Sequence, residues 1–176
     1  YYTNGTVIYD ITYPENMVEV AYYDSYLGSG WGFYGCWGTY PYLPSGNIIS
    51  SDINSASNGG GKLLIYSREF QQACQLEGNI TDQSNGNPIS NASVSIINTN
   101  FTSSSNLNGF YQTSTLDSGY FHVVFSAFGY ENDTLGIYLS NGIISNLNAS
   151  LNPTCTFPKP DSLYAFDIID NRVKIG

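Results

Sequence analysis

Short β-prone segments separated by turn residues recur along the whole chain, and no helical period lasts for ten residues. The stretch from Leu76 to Pro153 shows this pattern most completely. Runs rich in Val, Ile, Phe and Tyr alternate there with turns such as Gly86-Asn87-Pro88 and Asn108-Gly109. We therefore predict an all-β protein in which this stretch forms one complete β-sandwich.

The composition narrows the classes of function. The 176 residues are 41% hydrophobic, which is enough for a core, but only 11% are charged. The net charge of -9 comes without any cluster of Lys or Arg, so we expect no nucleic-acid partner and no attraction to anionic membranes. No apolar run reaches the roughly 20 residues of a membrane-spanning helix, so no membrane insertion is expected. The first residue is Tyr rather than Met, and we expect a processed product or a fragment.

The strands and turns of this stretch resemble a known family. The relevant segments are Gly78–Asp82, Gly86–Ile96, Asn108–Tyr111, Ser118–Ala127 and Phe128–Tyr130. Their order resembles the carboxypeptidase regulatory-like domain, a transthyretin-like or immunoglobulin-like β-sandwich, at about residues 74–155. That family is a non-catalytic module common in secreted bacterial proteins, so the resemblance implies neither an active site nor a cofactor.

The residues before the sandwich form a Tyr- and Gly-rich region with five predicted strands, Thr6–Ile11, Met17–Tyr23, Trp37–Leu43, Asn47–Asp52 and Lys62–Tyr66. The run Val7–Val20 resembles the repeat of LVIVD-type β-propellers. The run Gly35–Ile53 resembles the last blade of choice-of-anchor B proteins, which Bacteroidota secrete. The resemblance implies a partial propeller-like sheet at the outside of a cell. Five strands cannot close a propeller of at least four blades, so either blades are missing upstream or the strand edges are covered in another way.

These patterns divide the chain into a propeller-like region at 1–72, a sandwich at 73–155, and a Pro linker with a C-terminal strand at 156–176. Alternate positions of the last segment are mostly apolar, and they include Leu163, Ala165, Ile169, Val173 and Ile175. Two interpretations stay open. The segment forms a local hairpin turning at Asp170-Asn171, or it is a donor strand that pairs with a neighbouring copy. Repeated head to tail, strand donation gives an open fibre.

The three cysteines, Cys36, Cys74 and Cys155, have no metal-ligand spacing, so no metal site is predicted. Cys74 and Cys155 bracket the sandwich, and we predict a disulfide between them in an oxidising compartment. Cys36 lies between Gly35 and Trp37, where a small buried hydrophobic role is favoured. The odd number of cysteines leaves an intermolecular bridge open.

Candidate glycosylation sites are of two kinds. Asn-x-Ser/Thr acceptors occur at Asn4, Asn79, Asn91, Asn100, Asn132 and Asn148. The resemblance to Bacteroidota proteins instead implies O-linked sites, where Asp is followed by Ser or Thr and an aliphatic residue. Thr134 and Ser162 match that pattern. Each hydroxyl is otherwise an ordinary turn or strand side chain.

Aromatic residues cluster in the first region, at Trp31, Phe33, Tyr34, Trp37, Tyr40 and Tyr42 among others. Exposed rings stack on sugars, but rings are also common interface material. Catalysis has little support. The single histidine, His122, lies in an alternating strand, and carboxylates such as Asp10 could meet Glu19 or Asp24 only through folding.

We therefore predict a non-catalytic extracellular structural protein, a self-assembling surface or fibre subunit joined by β-strand addition and carrying glycans. The alternative is a carbohydrate-binding or adhesion module of a larger secreted protein. An enzymatic function would require missing blades to supply the active site.

Overall fold

The structure is a computed structural model that describes residues 2–28, 32–53, 60–67 and 69–154, together with the backbone of Ile168–Ile169 and Arg172–Val173. In these residues the regular structure consists of β-strands and two short 3-10 helices, Tyr2–Asn4 and Pro14–Asn16. The predicted all-β class is confirmed. None of the helices in this part of the chain has the length and apolarity needed to cross a bilayer.

Five strands precede the sandwich. They are β1 (Thr6–Asp10), β2 (Val18–Tyr23), β3 (Gly35–Tyr40), β4 (Ile48–Ile53) and β5 (Lys62–Tyr66). Eight strands then build the sandwich: β6 (Cys74–Asp82), β7 (Ser93–Ile96), β8 (Thr102–Ser104), β9 (Phe110–Thr115), β10 (Gly119–Ser126), β11 (Asp133–Leu139), β12 (Ile144–Asn146) and β13 (Ala149–Leu151). Two short strands follow, β14 (Ile168–Ile169) and β15 (Arg172–Val173).

Two sheets form the sandwich. One is antiparallel with the strand order β11-β10-β7-β8. The other is built around β6, which pairs antiparallel with β9 along its length. The short strand β12 runs parallel to the first half of β6, and β13 runs parallel to the second half. The predicted sandwich is therefore confirmed, since two sheets of alternating strands face each other across one core.

The core between these sheets is apolar and closed. It consists of Cys74, Leu76, Ile80, Ile89, Ala92, Val94, Ile96, Tyr111, Val123, Phe125, Leu139, Ala149 and Leu151, all buried. Tyr111 and Phe125 meet edge to face with ring centroids 5.6 Å apart. The Tyr111 hydroxyl donates to the Leu147 carbonyl over 2.7 Å, so this large side chain leaves no polar atom unpaired. Gly78 is required beside it, because a side chain there would collide with the Leu147 carbonyl.

The strands of the N-terminal region are confirmed, and each of their ends lies within three residues of its predicted position. They form two separate sheets, the hairpin β1-β2 and the antiparallel sheet β3-β4-β5. Register shifts interrupt the pairing at Ile8/Tyr9 and at Cys36/Gly38. The predicted propeller-like arrangement of this region is not shown.

In the C-terminal segment the backbone of Ile168–Ile169 pairs antiparallel with that of Arg172–Val173. Ile169 is opposite Arg172, which is the pairing that the hairpin interpretation predicts. Of the predicted donor residues, Leu163, Ala165 and Ile175 lie outside the described residues, and for Ile169 and Val173 the backbone alone is described. The predicted division of the chain at residues 72 and 155 stays a prediction.

Candidate interaction surface

The N-terminal region has a thin core and an apolar surface. Among its described residues, the buried apolar side chains are Tyr13, Val18 and Ile48. Thirteen large hydrophobic residues are exposed, namely Tyr9, Ile11, Met17, Tyr22, Tyr23, Leu27, Phe33, Tyr34, Trp37, Tyr40, Tyr42, Leu63 and Ile65. Apolar surface of this extent is typical of a face that meets a partner.

The outer face of the sheet β3-β4-β5 carries part of this surface. Tyr40 is opposite Ile49, which is opposite Ile65, so the three side chains form one row across the sheet. Leu63 lies on the same face, two residues from Ile65, and these two side chains are 66% and 64% exposed. We call this outer face, formed by Tyr40, Ile49, Leu63 and Ile65, the apolar sheet face.

One edge of this sheet is open. Within the described residues, β5 pairs with β4 and with no other strand. It contains no proline and no bulge, and Lys62 is its only charged residue. Natural sheets protect their edges with charge, proline or bulges, and β5 has little of this protection. It is therefore a ready site for a further strand.

The predicted aromatic residues lie at the surface in three small groups rather than on one platform. Phe33 and Trp37 gather around Tyr2, each with its ring centroid 5.2 Å from that of Tyr2. Tyr34 stacks on Tyr26 at 5.2 Å, and Tyr40 meets Tyr42 edge to face at 5.8 Å. Trp31 lies outside the described residues. These rings therefore pack against one another, and part of their surface remains exposed.

The inner face of the same sheet is polar. The sulfur of Cys36 lies 3.0 Å from the Ser50 hydroxyl, 3.5 Å from that of Thr39 and 3.6 Å from that of Thr6. Burial would raise the pKa of Cys36, but hydrogen bonds from these three hydroxyls outweigh it and hold the pKa below its ordinary value. Cys36 is therefore a half-buried thiol in contact with hydroxyl groups, not the small buried hydrophobic residue that its sequence neighbours predict.

Asp52 lies directly opposite Cys36 in the strand pair β3-β4. It is 2% exposed, and neither of its carboxylate oxygens has a hydrogen-bond partner within the described structure. A buried carboxylate without partners destabilises the fold around it. The inner face of this sheet is thus a weak point in the stability of the N-terminal region.

Three hydrogen bonds dock the N-terminal region on the sandwich. The Tyr13 hydroxyl donates to the Glu77 carboxylate over 2.8 Å, and the side-chain amide of Asn16 donates to the backbone carbonyl of Gln112 over 3.1 Å. The Ala73 amide donates to the Asp10 carboxylate over 3.0 Å. Burial, together with the hydrogen bond and charge of Glu77, raises the pKa of Tyr13 well above its ordinary value, so the hydroxyl stays a donor.

The described glycosylation candidates are all exposed, namely Asn4, Asn79, Asn91, Asn100, Asn132, Asn148 and Thr134. Asn148 is the least free of them, because its side-chain oxygen accepts the Asn79 amide over 2.8 Å. Ser162 lies outside the described residues. Burial therefore excludes none of the described glycosylation candidates. Whether any of them carries a glycan stays a prediction.

The remaining candidates are Cys74, Cys155, His122 and Asp10. Cys74 is buried, and the pKa of its thiol is raised by burial and by the charge of Asp117, while Cys155 lies outside the described residues. Their bridge stays a prediction. His122 is exposed on β10 beside Tyr120, as expected for a strand side chain. The Asp10 carboxylate does not pair with Glu19 but accepts hydrogen bonds from the backbone amides of Thr12 and Ala73. Within the described residues, no three metal-binding side chains come together.

The comparisons with known proteins concern the sandwich. Residues 76–155 match the family model of the CarboxypepD_reg-like domain. This match runs from the third residue of β6 to beyond β13 and confirms the resemblance drawn from the strands and turns. The resemblance of the preceding residues to LVIVD-type and choice-of-anchor B proteins is not shown. No curated protein matches the chain.

Two solved structures are similar at low identity. The minor pilin GBS52 of Streptococcus agalactiae is 11% identical, with a TM-score of 0.39 over 70% of this chain and 66% of that one. The backbone protein of group B streptococcus pilus 2b is 14% identical, with a TM-score of 0.40 over 64% of this chain and 51% of that one. The aligned part thus spans about two thirds and about half of these two proteins.

Sequence reasoning missed the docking contacts and the polar inner face. The strand β4 did contain a signal for the latter, because Ser50 and Asp52 alternate in step with the buried Ile48. Tyr13 gave a weaker signal as an aromatic residue just before the turn at Pro14–Asn16. Its partner Glu77 is 64 residues away, and no local pattern indicates such a pair.

Proposed function

We propose that this chain is a non-catalytic extracellular structural protein, a subunit of a surface assembly or fibre whose copies join by β-strand addition. The observation that carries the proposal is the N-terminal region, whose described residues include thirteen exposed large hydrophobic side chains and an open strand edge at β5. A further strand that pairs with β5 would close the open edge, and its apolar side chains would extend the apolar sheet face beside Leu63 and Ile65.

The C-terminal segment of another copy is the proposed donor. Leu163, Ala165, Ile169, Val173 and Ile175 alternate along it, so one face of an added strand would lie beside Leu63 and Ile65. The hairpin β14-β15 has two paired residues in each strand. A hairpin this short is marginally stable alone, so little free energy is lost when it opens.

Surface glycans and an extracellular location complete the proposal. Low charge, abundant neutral polar residues and exposed candidates such as Thr134 and Asn132 suit a modified extracellular surface. Mass spectrometry of the natural protein would identify the modified residues, and unmodified peptides throughout would overturn this part.

Negative-stain electron microscopy tests strand addition. Three samples would be compared: the full chain, a chain truncated after Pro160, and a full-length variant with Ile169→Asp and Val173→Asp. We expect filaments in the first sample alone, because the variant keeps the length and loses the alternating apolar face. A full-length control with Lys174→Gln should still assemble. Compact monomers in every sample, or filaments in every sample, would overturn the proposal.

The second candidate function is carbohydrate binding at the cluster of Tyr2, Phe33 and Trp37, in which the rings of Phe33 and Trp37 are exposed. It predicts a stable monomer that is retained on a polysaccharide column. Trp37→Ala would abolish that retention, while Tyr120→Ala, an exposed ring on the sandwich, would not.

A further inference from the structure

A cleft of about 480 Å³ lies where the N-terminal region meets the sandwich. Tyr13 and the 3-10 helix Pro14–Asn16 form one wall. The other wall is formed by β8 and β9 with the turn around Asn106. Small-molecule sites commonly have volumes of about 300–1,000 Å³ and lie at junctions of this kind.

Hydrogen bonds hold both walls in place. The Tyr13 hydroxyl donates to the Glu77 carboxylate at 2.8 Å, and the Asn16 side-chain amide donates to the Gln112 backbone carbonyl at 3.1 Å. The turn opposite is fixed by the Asn106 side-chain oxygen, which accepts the amides of Asn108 at 2.8 Å and Phe110 at 3.1 Å. The cleft is therefore preformed, so a ligand would not have to order it.

Several polar atoms in the cleft have no partner within the described structure. The Glu15 carboxylate accepts no hydrogen bond, and the side-chain oxygens of Asn16 and Gln112 accept none. The side-chain amide group of Asn106 donates none. The cleft thus offers acceptors in excess together with at least one donor, which suits a ligand that has several hydroxyl groups.

The charge and the apolar content of the cleft narrow the class of ligand. No Lys, Arg or His is among its described lining residues, and Glu15 is negative, so an anion would be repelled. One carboxylate is too few for a divalent cation. The half-buried ring of Phe110 supplies an apolar surface for stacking. A neutral ring compound with hydroxyl groups at its rim fits these properties.

We propose that this cleft binds a neutral carbohydrate, with a sugar ring on Phe110 and its hydroxyls bonded to Glu15, Asn16, Asn106 and Gln112. This site is separate from the aromatic cluster at Tyr2 and does not depend on fibre assembly. The ligand would be a free sugar or a glycan presented by a neighbouring molecule, which share the same chemistry.

Saturation-transfer difference NMR tests the site, since it detects transfer to the sugar whether the protein is monomeric or assembled. The probes are glucose, galactose, mannose, N-acetylglucosamine, maltose and cellobiose, with N-acetylneuraminic acid as the anionic comparison. We expect transfer from the full chain to at least one neutral probe and none to the anionic one. Glu15→Gln and Phe110→Leu should each weaken binding about tenfold or more, since each removes a charged hydrogen bond or a stacked ring.

Phe128→Leu is the matched control, because Phe128 is a fully exposed ring on the sandwich away from the cleft. It should bind like the unchanged chain, and circular dichroism should show that all variants remain folded. Three results would overturn the proposal: no transfer to any neutral probe, equal transfer to the anionic probe, or undiminished binding in both cleft variants. Chains truncated after Pro160 keep the cleft, so they should bind even if they no longer form filaments.

Discussion

The sandwich and the N-terminal region are both built from short β-strands, but the sandwich mainly buries its apolar side chains and the N-terminal region mainly exposes its large ones. Residues 73–154 bury fourteen apolar side chains and expose seven large ones, whereas the described part of residues 2–70 buries three and exposes thirteen. In the sandwich, the inward positions of two facing sheets are mostly apolar and meet each other, although Thr113 is a buried polar exception. In β4 of the N-terminal region, the inward positions are Ile48, Ser50 and Asp52. The sandwich therefore has its own core, and the exposed apolar residues of the N-terminal region fit the proposal that this region needs a partner.

Removing a ring from the sandwich core should have the largest effect on stability. Phe125→Ala should lower the free energy of unfolding by about 3–5 kcal/mol, because it loses apolar burial and leaves a cavity beside Tyr111. Ile48→Ala, in the N-terminal region, should change the same transition by less than about 0.5 kcal/mol, as expected outside the cooperative unit. Chemical denaturation followed by far-UV circular dichroism measures both. Equal losses would show that the two regions form one unit.

Polar substitutions on the apolar sheet face should act on association rather than on folding. The double variant Leu63→Thr, Ile65→Thr should weaken self-association about tenfold or more, since it removes apolar area that association buries. Its free energy of unfolding should stay within about 0.5 kcal/mol. Ile143→Thr, Ile144→Thr on the sandwich surface is the matched control and should associate normally. Sedimentation velocity decides between these outcomes, and identical behaviour of the two variants would contradict the account.

The hydrogen bond between Tyr13 and Glu77 should contribute moderately to the free energy with which the N-terminal region docks on the sandwich. Tyr13→Phe removes the hydroxyl that donates to Glu77 and should weaken docking by about 1 kcal/mol. Limited proteolysis within residues 2–70 measures this, because undocked strands are cut faster. Since the pKa of Tyr13 is raised on folding, its contribution is fully present below about pH 10, the ordinary tyrosine pKa, and decreases above it. Tyr13→Phe should remove that part of the alkaline sensitivity.

The smallest expected effect concerns the two described thiols. At neutral pH, Cys36 should be alkylated faster than Cys74, because its pKa is lowered and its sulfur is less buried. Ser50→Ala removes the nearest hydroxyl, so the pKa of Cys36 should rise and its alkylation rate should fall, by less than about tenfold. Cys74, in a sample reduced beforehand so that no bridge to Cys155 remains, is the control. Mass spectrometry after timed labelling gives both rates, and faster labelling of Cys74 would contradict this picture.

Local patterns predicted much of the fold. Turn residues such as Gly86 and Gly109 marked the sandwich, and Lys62–Tyr66 was predicted with both ends correct. Which strands become neighbours could not be predicted in the N-terminal region, since alternation indicates a face but not a partner. The environment of Cys36 depends on Thr6 and Ser50, which are 30 and 14 residues away, so no spacing motif could indicate it. The cleft was missed for the same reason.

Hydrogen–deuterium exchange at two protein concentrations tests most directly whether the N-terminal region needs a partner. Amides of β6, β9 and β10 should be strongly protected in both samples. Amides of β3, β4 and β5 should exchange rapidly in the dilute sample and become protected in the concentrated, assembled one. Strong and concentration-independent protection of β3 to β5 would show that the N-terminal region is stable alone, and this would contradict the account.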